Sequence, residues 1–207
     1  MDEMEKRLFD FDAGELCLDF ANTQNWHASE QPEENLKNYE DILAWGEAAG
    51  LISQETAALL RQEALAQPDQ AAQAYQHAIN VREAIYRIFS RLYAGKPAPE
   101  DELALLNAVL RQAMPHLQLA PDETKMKWEW APGTSGLDLI LGSVARSAAG
   151  LLTSDQASRV RECEDDRGCG YLFMDLTKNH SRRWCSMDSC GNRAKARRHY
   201  KKVQNPG

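Results

Sequence analysis

Four cysteines lie near the C-terminus in two close pairs. Five residues separate Cys163 from Cys169, four separate Cys185 from Cys190, and fifteen lie between the pairs. Two thiol pairs joined by a short segment suit a tetrahedral zinc ion, because each tight turn presents two thiolates. In a reducing compartment, clustered cysteines favour a metal over disulfides. The sequence therefore predicts one bound Zn²⁺, and two incidental cysteine pairs are the less favoured alternative.

A basic segment follows the last of these cysteines. Residues 159–207 carry 12 Lys and Arg against 6 Asp and Glu, a net charge of +6. Residues 1–158 carry 12 against 25, a net charge of −13, and the two sum to the −7 of the whole chain. A basic module attached to an acidic body is typical of nucleic-acid-binding proteins. A solvated charged tail is the alternative. We expect duplex DNA as the partner, with RNA as a second candidate.

The basic segment should form a helix that begins at Asn192, a residue type that caps helix N-termini well. Arg193 and Arg197 lie in its first turns and are expected to contact bases, since arginine recognises guanine in the major groove. Trp184 is expected in a small core, with base stacking as the alternative. The candidate nucleic-acid-binding residues are Arg182, Arg183, Asn192, Arg193, Lys195, Arg197, Arg198, His199, Lys201 and Lys202.

The segment between the cysteine pairs has the pattern strand, turn, strand. Residues 170–175 and 181–185 are predicted to form a β-hairpin, which gives the order knuckle, hairpin, knuckle, helix. A unit this small buries little apolar surface, so the metal has to supply its stability.

The rest of the chain, residues 1–158, is predicted to form a mainly helical domain. The cysteine module with its basic helix, hereafter the finger, occupies residues 159–207. Apolar residues recur at three- and four-residue steps, with stop and start signals between the runs. Residues 8–20 are predicted as a short strand or hairpin. Residues 117–130 are predicted as a β-hairpin that buries Met126, Trp128 and Trp130 on one face. Helices are expected over 36–49, 53–66, 68–93, 99–114, 137–152 and 154–161.

The N-terminal domain contains none of the common catalytic or nucleotide-binding motifs, such as G-x-S-x-G, H-E-x-x-H or a P-loop. An enzyme with a structural zinc finger is therefore the least favoured hypothesis. Asp19, Asn22 and Thr23 follow an apolar run, where a turn or a helix cap is the simplest expectation. The alternative is that they line a pocket for a small-molecule effector.

The finger residues closely resemble the CGNR zinc finger, which is named for the sequence Cys-Gly-Asn-Arg, here Cys190 to Arg193. That finger usually follows a domain called ABATE, in bacterial proteins described as stress-induced transcription regulators. Residues 16–23, 38–45 and 50–52 resemble the first part of ABATE. The resemblance implies a mainly α fold with a small β component and a treble-clef-like finger. Many relatives have four residues in the first knuckle, so Cys163 is the ligand with least support.

The resemblance implies a zinc-containing, DNA-binding transcription regulator whose N-terminal domain senses stress or a small molecule. An RNA- or ribosome-associated zinc protein is the second hypothesis. The N-terminus lacks a signal-peptide core, and no run of 18 apolar residues occurs. We therefore expect a cytoplasmic protein with no membrane partner. A homodimer is compatible with the sequence.

Overall fold

The structure, a computed structural model, describes residues 9–204, without the side chains of His199 and residues 201–204. Helices dominate this part of the chain, and its strands form antiparallel pairs. The elements are α1 (Leu16–Ala21), β1 (Gln24–Asn25), β2 (Glu33–Glu34), α2 (Tyr39–Ala48), α3 (Gln54–Ala66), α4 (Pro68–Tyr93), α5 (Glu100–Ala113), β3 (Leu117–Asp122), β4 (Lys125–Trp130), α6 (Leu139–Leu152), β5 (Val160–Glu162), β6 (Leu172–Met174) and α7 (Asn192–Gln204).

The longest helix, α4, is central, and α1, α2, α3, α5 and α6 all pack against it. Phe20, Trp45, Ile85 and Phe89 are buried in one continuous core. Ser53 caps α3 as predicted, because its Oγ accepts a hydrogen bond from the Thr56 N–H at 3.1 Å. The predicted fold class, mainly α with small β elements, is confirmed. Within the described residues, no helix is both long and apolar enough to cross a membrane.

The strand or hairpin predicted over residues 8–20 is wrong: residues 9–15 form no strand, and the residues that follow form α1; Leu8 lies outside the described residues. Five of the six residues of α1 are buried, from Cys17 to Ala21. A short helix that is covered nearly all round has no polar face. Its sequence therefore shows no 3.6-residue period by which it could be recognised.

The predicted hairpin over 117–130 is present, with Leu119 opposite Trp128 and Leu117 opposite Trp130. Its apolar face is largely exposed rather than buried, since Met126 is 69% and Trp128 42% exposed. Only the end next to the helices is covered. There Trp130 packs against Gly142, where a Cβ atom would come within 2.5 Å of the indole ring.

The hairpin predicted within the finger has a different partner strand. β6 pairs with β5, which precedes Cys163, with Glu162 opposite Leu172 and Val160 opposite Met174. Residues 181–185 form no strand. The buried Asp175 carboxylate organises this segment instead, because it accepts hydrogen bonds from the Thr177 N–H at 2.9 Å and the Arg182 N–H at 2.9 Å.

The β5–β6 pair packs directly on the N-terminal helices. Val160, Leu172 and Met174 belong to the same core as α1 and α4. The Met174 N–H donates to the carbonyl oxygen of Ala13 at 2.8 Å, which extends the contact along the backbone. One apolar core therefore crosses the boundary predicted near residue 158.

Candidate zinc centre and nucleic-acid interface

The four clustered sulfur atoms lie within 4.8 Å of one another. The Sγ atoms of Cys169 and Cys185 are 3.8 Å apart, and those of Cys185 and Cys190 are 3.6 Å apart. All four thiols are free. A Zn–S bond of about 2.3 Å places the sulfurs of a tetrahedral site about 3.8 Å apart. The cluster, which includes Cys163, therefore has the size that one zinc ion requires.

The first cysteine pair lies in the connection between β5 and β6. The Cys163 N–H donates to the Tyr171 carbonyl oxygen at 2.9 Å, so the two strands remain paired up to the knuckle. The fifth spacer residue fits in a turn closed by the Gly168 N–H and the Asp165 carbonyl oxygen at 2.9 Å. Gly168 has φ +83° and Gly170 has φ +65°, values that favour glycine.

The second cysteine pair flanks the start of the basic helix. Residues Met187–Gly191 form a wide π-type turn that continues directly into α7. Ser186 caps this turn, because its Oγ accepts from the Asp188 N–H at 3.2 Å. The prediction that Asn192 is the N-cap is therefore wrong: Asn192 already has helical backbone angles. Cys190 lies inside the helical segment, which fixes the direction of α7 relative to the metal.

The donor set suits a structural zinc ion. Without a cation, hydrogen bonds with Cys163 and Cys169 raise the pKa of Cys185. A dication reverses this balance because it stabilises thiolates. Arg193 Nη2 donates to Cys190 Sγ at 2.9 Å, and Arg182 donates to the Cys185 carbonyl oxygen. Such contacts orient metal ligands and offset their charge. Four thiolates complete a tetrahedral shell, as expected for a structural zinc site.

Comparison with known families agrees with this geometry. The family model of ABATE, described as "Putative stress-induced transcription regulator", matches residues 14–155. The chain belongs to this family. The model of the CGNR zinc finger matches residues 159–202, so the four cysteines are its zinc site. No curated protein matches the chain significantly.

Two arginines of α7 face the first knuckle of the CGNR finger. The Asp165 carboxylate, 4% exposed, accepts from Arg193 Nε at 3.2 Å and Arg197 Nη2 at 3.1 Å. Burial tends to raise the pKa of Asp165, but hydrogen bonds from Arg167 and Arg197 hold it below its usual value. Arg197 also pairs with Asp166. The expectation that these two arginines contact bases stays a prediction; their side chains, 34% and 31% exposed, already form ion pairs with Asp165.

Other predicted contact residues are more accessible. Lys195 and Arg198 are exposed, and so is Asn192. The Arg198 guanidinium lies 5.6 Å from the centre of the half-buried Trp184 ring, and that of Arg183 lies 5.3 Å from it. Arg183 also pairs with Glu164. Arg182 packs over Phe173 and supports the second knuckle. The side chains of His199, Lys201 and Lys202 lie outside the described part.

The three residues considered for an effector pocket have structural partners. The Asn22 side chain binds the backbone of Leu172, and Thr23 Oγ1 donates to the Phe20 carbonyl oxygen at 2.7 Å. Asp19 Oδ1 accepts from the Ala13 N–H at 2.9 Å. These contacts support the turn-and-cap interpretation. Of the three, Asp19 also borders an open surface cleft, next to Phe11 and Ala48.

The candidate residues that the sequence did not reveal are Asp165 and Trp26. Asp165 is the middle one of three consecutive acids, residues 164–166, inside a finger whose net charge is positive, and this local charge exception was the available signal. Trp26 belongs to the ABATE domain, yet its ring lies against two finger arginines. It is 137 residues away from the first zinc ligand in sequence (163 − 26), so no local pattern connects the two.

Proposed function

We propose that this protein is a DNA-binding transcription regulator whose CGNR finger contacts duplex DNA through the outward side of α7. The observation that carries the proposal is that the basic side chains of α7 fall into two groups, one paired with acids of the finger and one exposed to solvent. Arg193 and Arg197 turn inward to Asp165, whereas Lys195 and Arg198 are exposed. Among the described residues, neither Lys195 nor Arg198 forms an ion pair. Their charge is thus available to phosphate groups.

The dimensions and neighbours of α7 support this role. A helix of 13 residues is about 20 Å long and fits the major groove of B-DNA. The small side chains of Ala194 and Ala196 permit close approach. The net charge of −13 over residues 1–158 repels a phosphate backbone. We therefore infer that DNA approaches the finger with α7 foremost and the ABATE domain turned away.

One observation favours RNA as the second candidate. Trp184 is half-buried, and the guanidinium groups of Arg183 and Arg198 lie near its ring. An aromatic ring beside arginines can stack on unpaired bases. Stronger binding to single-stranded or hairpin RNA than to duplex DNA would favour this alternative.

The decisive experiment is a binding titration of the zinc-loaded chain against duplex DNA, single-stranded DNA and hairpin RNA at several salt concentrations. For duplex DNA the log–log salt slope should be about −0.9 per neutralised phosphate. Lys195→Ala should weaken binding to all sequences and reduce the slope by about one. Lys96→Ala removes an exposed lysine of the ABATE domain and should have no effect. Salt-insensitive binding, or equal affinity of Lys195→Ala and wild type, would contradict the proposed interface.

We further propose that the ABATE domain senses a small molecule in the cleft beside α4 rather than at Asn22 and Thr23. This cleft, about 670 Å³ in volume, lies between α3, α4 and the segment that precedes α6. His77 and Asp138 border it, with His77 Nδ1 3.2 Å from Asp138 Oδ2. A screen of metabolites should find compounds that raise the melting temperature of wild type but not of His77→Ala. Compounds that act equally on both proteins would contradict this location.

A further inference from the structure

A loop of the ABATE domain presses against the first zinc knuckle. This 26–29 loop is the first part of the connection between β1 and β2. A Cβ atom on Gly168 would come within 2.6 Å of the Ala28 carbonyl oxygen, and one on Gly170 within 2.8 Å of the Ala28 nitrogen. The two backbones therefore touch with no room for side chains between them. A displacement of this loop toward the knuckle therefore has to move the knuckle as well.

Trp26 places its ring beside two arginines of the finger. The Arg167 guanidinium lies 4.9 Å and the Arg193 guanidinium 5.3 Å from the ring centre, both within the range of a cation–π interaction. Arg193 also donates to Cys190 Sγ and to Asp165. A continuous series of contacts thus leads from an ABATE side chain, through one guanidinium, to a zinc ligand.

The 26–29 loop is held both by its own backbone and by contacts with α4. The backbone of Trp26 is in the left-handed region, at φ 52°, and its carbonyl oxygen accepts from the Ser29 N–H at 2.9 Å. A bulky residue adopts this conformation only when its surroundings enforce it. The His27 ring packs against the Tyr86 ring at a tilt of 38°, with ring centres 3.5 Å apart, and its Nε2 lies 3.1 Å from Glu83 Oε2. The loop therefore holds Trp26 in one position.

We propose that Trp26 is a positioning residue of the zinc centre. It holds the Arg193 guanidinium on Cys190, and this contact slows the release of zinc. The physical reason is charge: four thiolates around a dication carry a net charge of −2, which a fixed neighbouring guanidinium partly offsets. Without the ring, Arg193 keeps its ion pair with Asp165, but its Nη2 can move away from Cys190 Sγ. Zinc retention by the finger therefore depends on the ABATE domain, and a movement of the 26–29 loop is transmitted to α7.

The test measures zinc release from the full chain into an excess of a chromophoric chelator, with no nucleic acid present. Trp26→Ala should release zinc on the order of 10-fold faster than wild type, the lower end of the effect typical of residues that support metal ligands. Trp26→Phe keeps an aromatic face and should fall between the two. Trp128→Ala is a matched control, because Trp128 is a partly exposed tryptophan with Arg146 over its ring at 5.3 Å. Its release rate should equal that of wild type.

A double-mutant cycle separates positioning from general destabilisation. Arg193→Gln should accelerate release most in the wild-type background, less in Trp26→Phe and least in Trp26→Ala, because each change at Trp26 has already removed part or all of the contact that Arg193 makes with Cys190. Additive effects, or a wild-type release rate in Trp26→Ala, would overturn the proposal. If Trp26→Ala fails to fold, the Trp26→Phe cycle decides alone. Since no nucleic acid enters the assay, its result does not depend on whether the finger binds DNA.

Discussion

The side-chain amide of Asn22 forms two hydrogen bonds with the backbone of Leu172. Its Nδ2 donates to the Leu172 carbonyl oxygen at 2.8 Å, and its Oδ1 accepts from the Leu172 N–H at 2.9 Å. Both residues are buried. The amide thus forms with Leu172 of β6 the two hydrogen bonds that a neighbouring strand would otherwise form. Within the described part of the chain, no strand lies beside Leu172 on this side, where α1 ends. This pair joins the ABATE domain to the CGNR finger.

Replacing Asn22 by alanine should lower the free energy of unfolding by about 2 to 4 kcal/mol. The substitution leaves a buried N–H and a buried C=O without partners, and each such group costs about 1–3 kcal/mol. Chemical denaturation of the zinc-loaded chain measures the effect. Asn25→Ala, at an exposed position three residues away, is the control and should change stability by less than about 0.5 kcal/mol. Equal stability of the two variants would show that water replaces the amide.

Metal analysis of the purified chain should find one zinc ion. Ser at any of the four positions Cys163, Cys169, Cys185 and Cys190 should reduce zinc content and affinity, because all four sulfurs belong to one cluster. Cys17→Ala is the matched control. Cys17 is buried in the ABATE core, and this burial raises the pKa of its thiol to about 12. Full zinc retention by Cys163→Ser would mean that another group completes the shell.

Residues 1–158 on their own should be less stable than the same residues in the full chain. The sequence suggested an independent domain, but removal of the finger uncovers the core where Val160, Leu172 and Met174 pack. Chelation of zinc should likewise lower the melting temperature of the whole chain, followed by helical circular dichroism. A truncated protein with the melting temperature of the intact one would show that the shared core contributes nothing measurable.

Asp19→Asn should stabilise the protein at neutral pH, by up to about 3 kcal/mol. Burial, with the nearby acids Asp12, Glu15 and Asp10, raises the pKa of Asp19 from 3.8 to about 6. A carboxyl group whose pKa is higher in the folded state opposes folding once it ionises. This cost is absent below about pH 4, grows as the pH rises through 6, and is complete above it.

The side-chain amide that Asp19→Asn introduces can still accept the hydrogen bond from the Ala13 N–H, so the comparison isolates the charge. Unfolding free energies of wild type and Asp19→Asn should converge at pH 4 and diverge by pH 7. A difference that stays constant over this range would indicate that Asp19 titrates normally.

The sequence predicted most of the helices and the zinc ligands well for a physical reason. The helix predicted over 154–161 is the exception, since residues 155–159 form a 3₁₀ turn and residues 160–162 form β5. Amphipathic periodicity records which side of α4 or α6 is buried, and the paired cysteines have no other simple use in a reducing compartment. Even Cys163, whose spacing is unusual, joins the cluster because a turn at Gly168 accommodates the extra residue. In each of these cases the determining information lies within a few residues of the site.

The features that were not predicted depend on contacts between distant segments. The partner of β6 is β5 rather than residues 181–185, because the Asp175 carboxylate organises the later segment. The direction of the Arg193 and Arg197 side chains depends on Asp165, 28 and 32 residues away. A helical wheel shows which residues of α7 share a side, but it does not show which side faces the metal.

The close contact between the 26–29 loop and the glycines of the first knuckle also bears on how such proteins evolve. Because Gly168 and Gly170 lie against the backbone of Ala28, the surface of the finger is complementary to this particular ABATE domain. Recombination that transferred residues 159–202 to an unrelated protein would leave this surface without its counterpart. We therefore expect lineages to inherit the two segments together, and a substitution in one to be followed by a compensating substitution in the other.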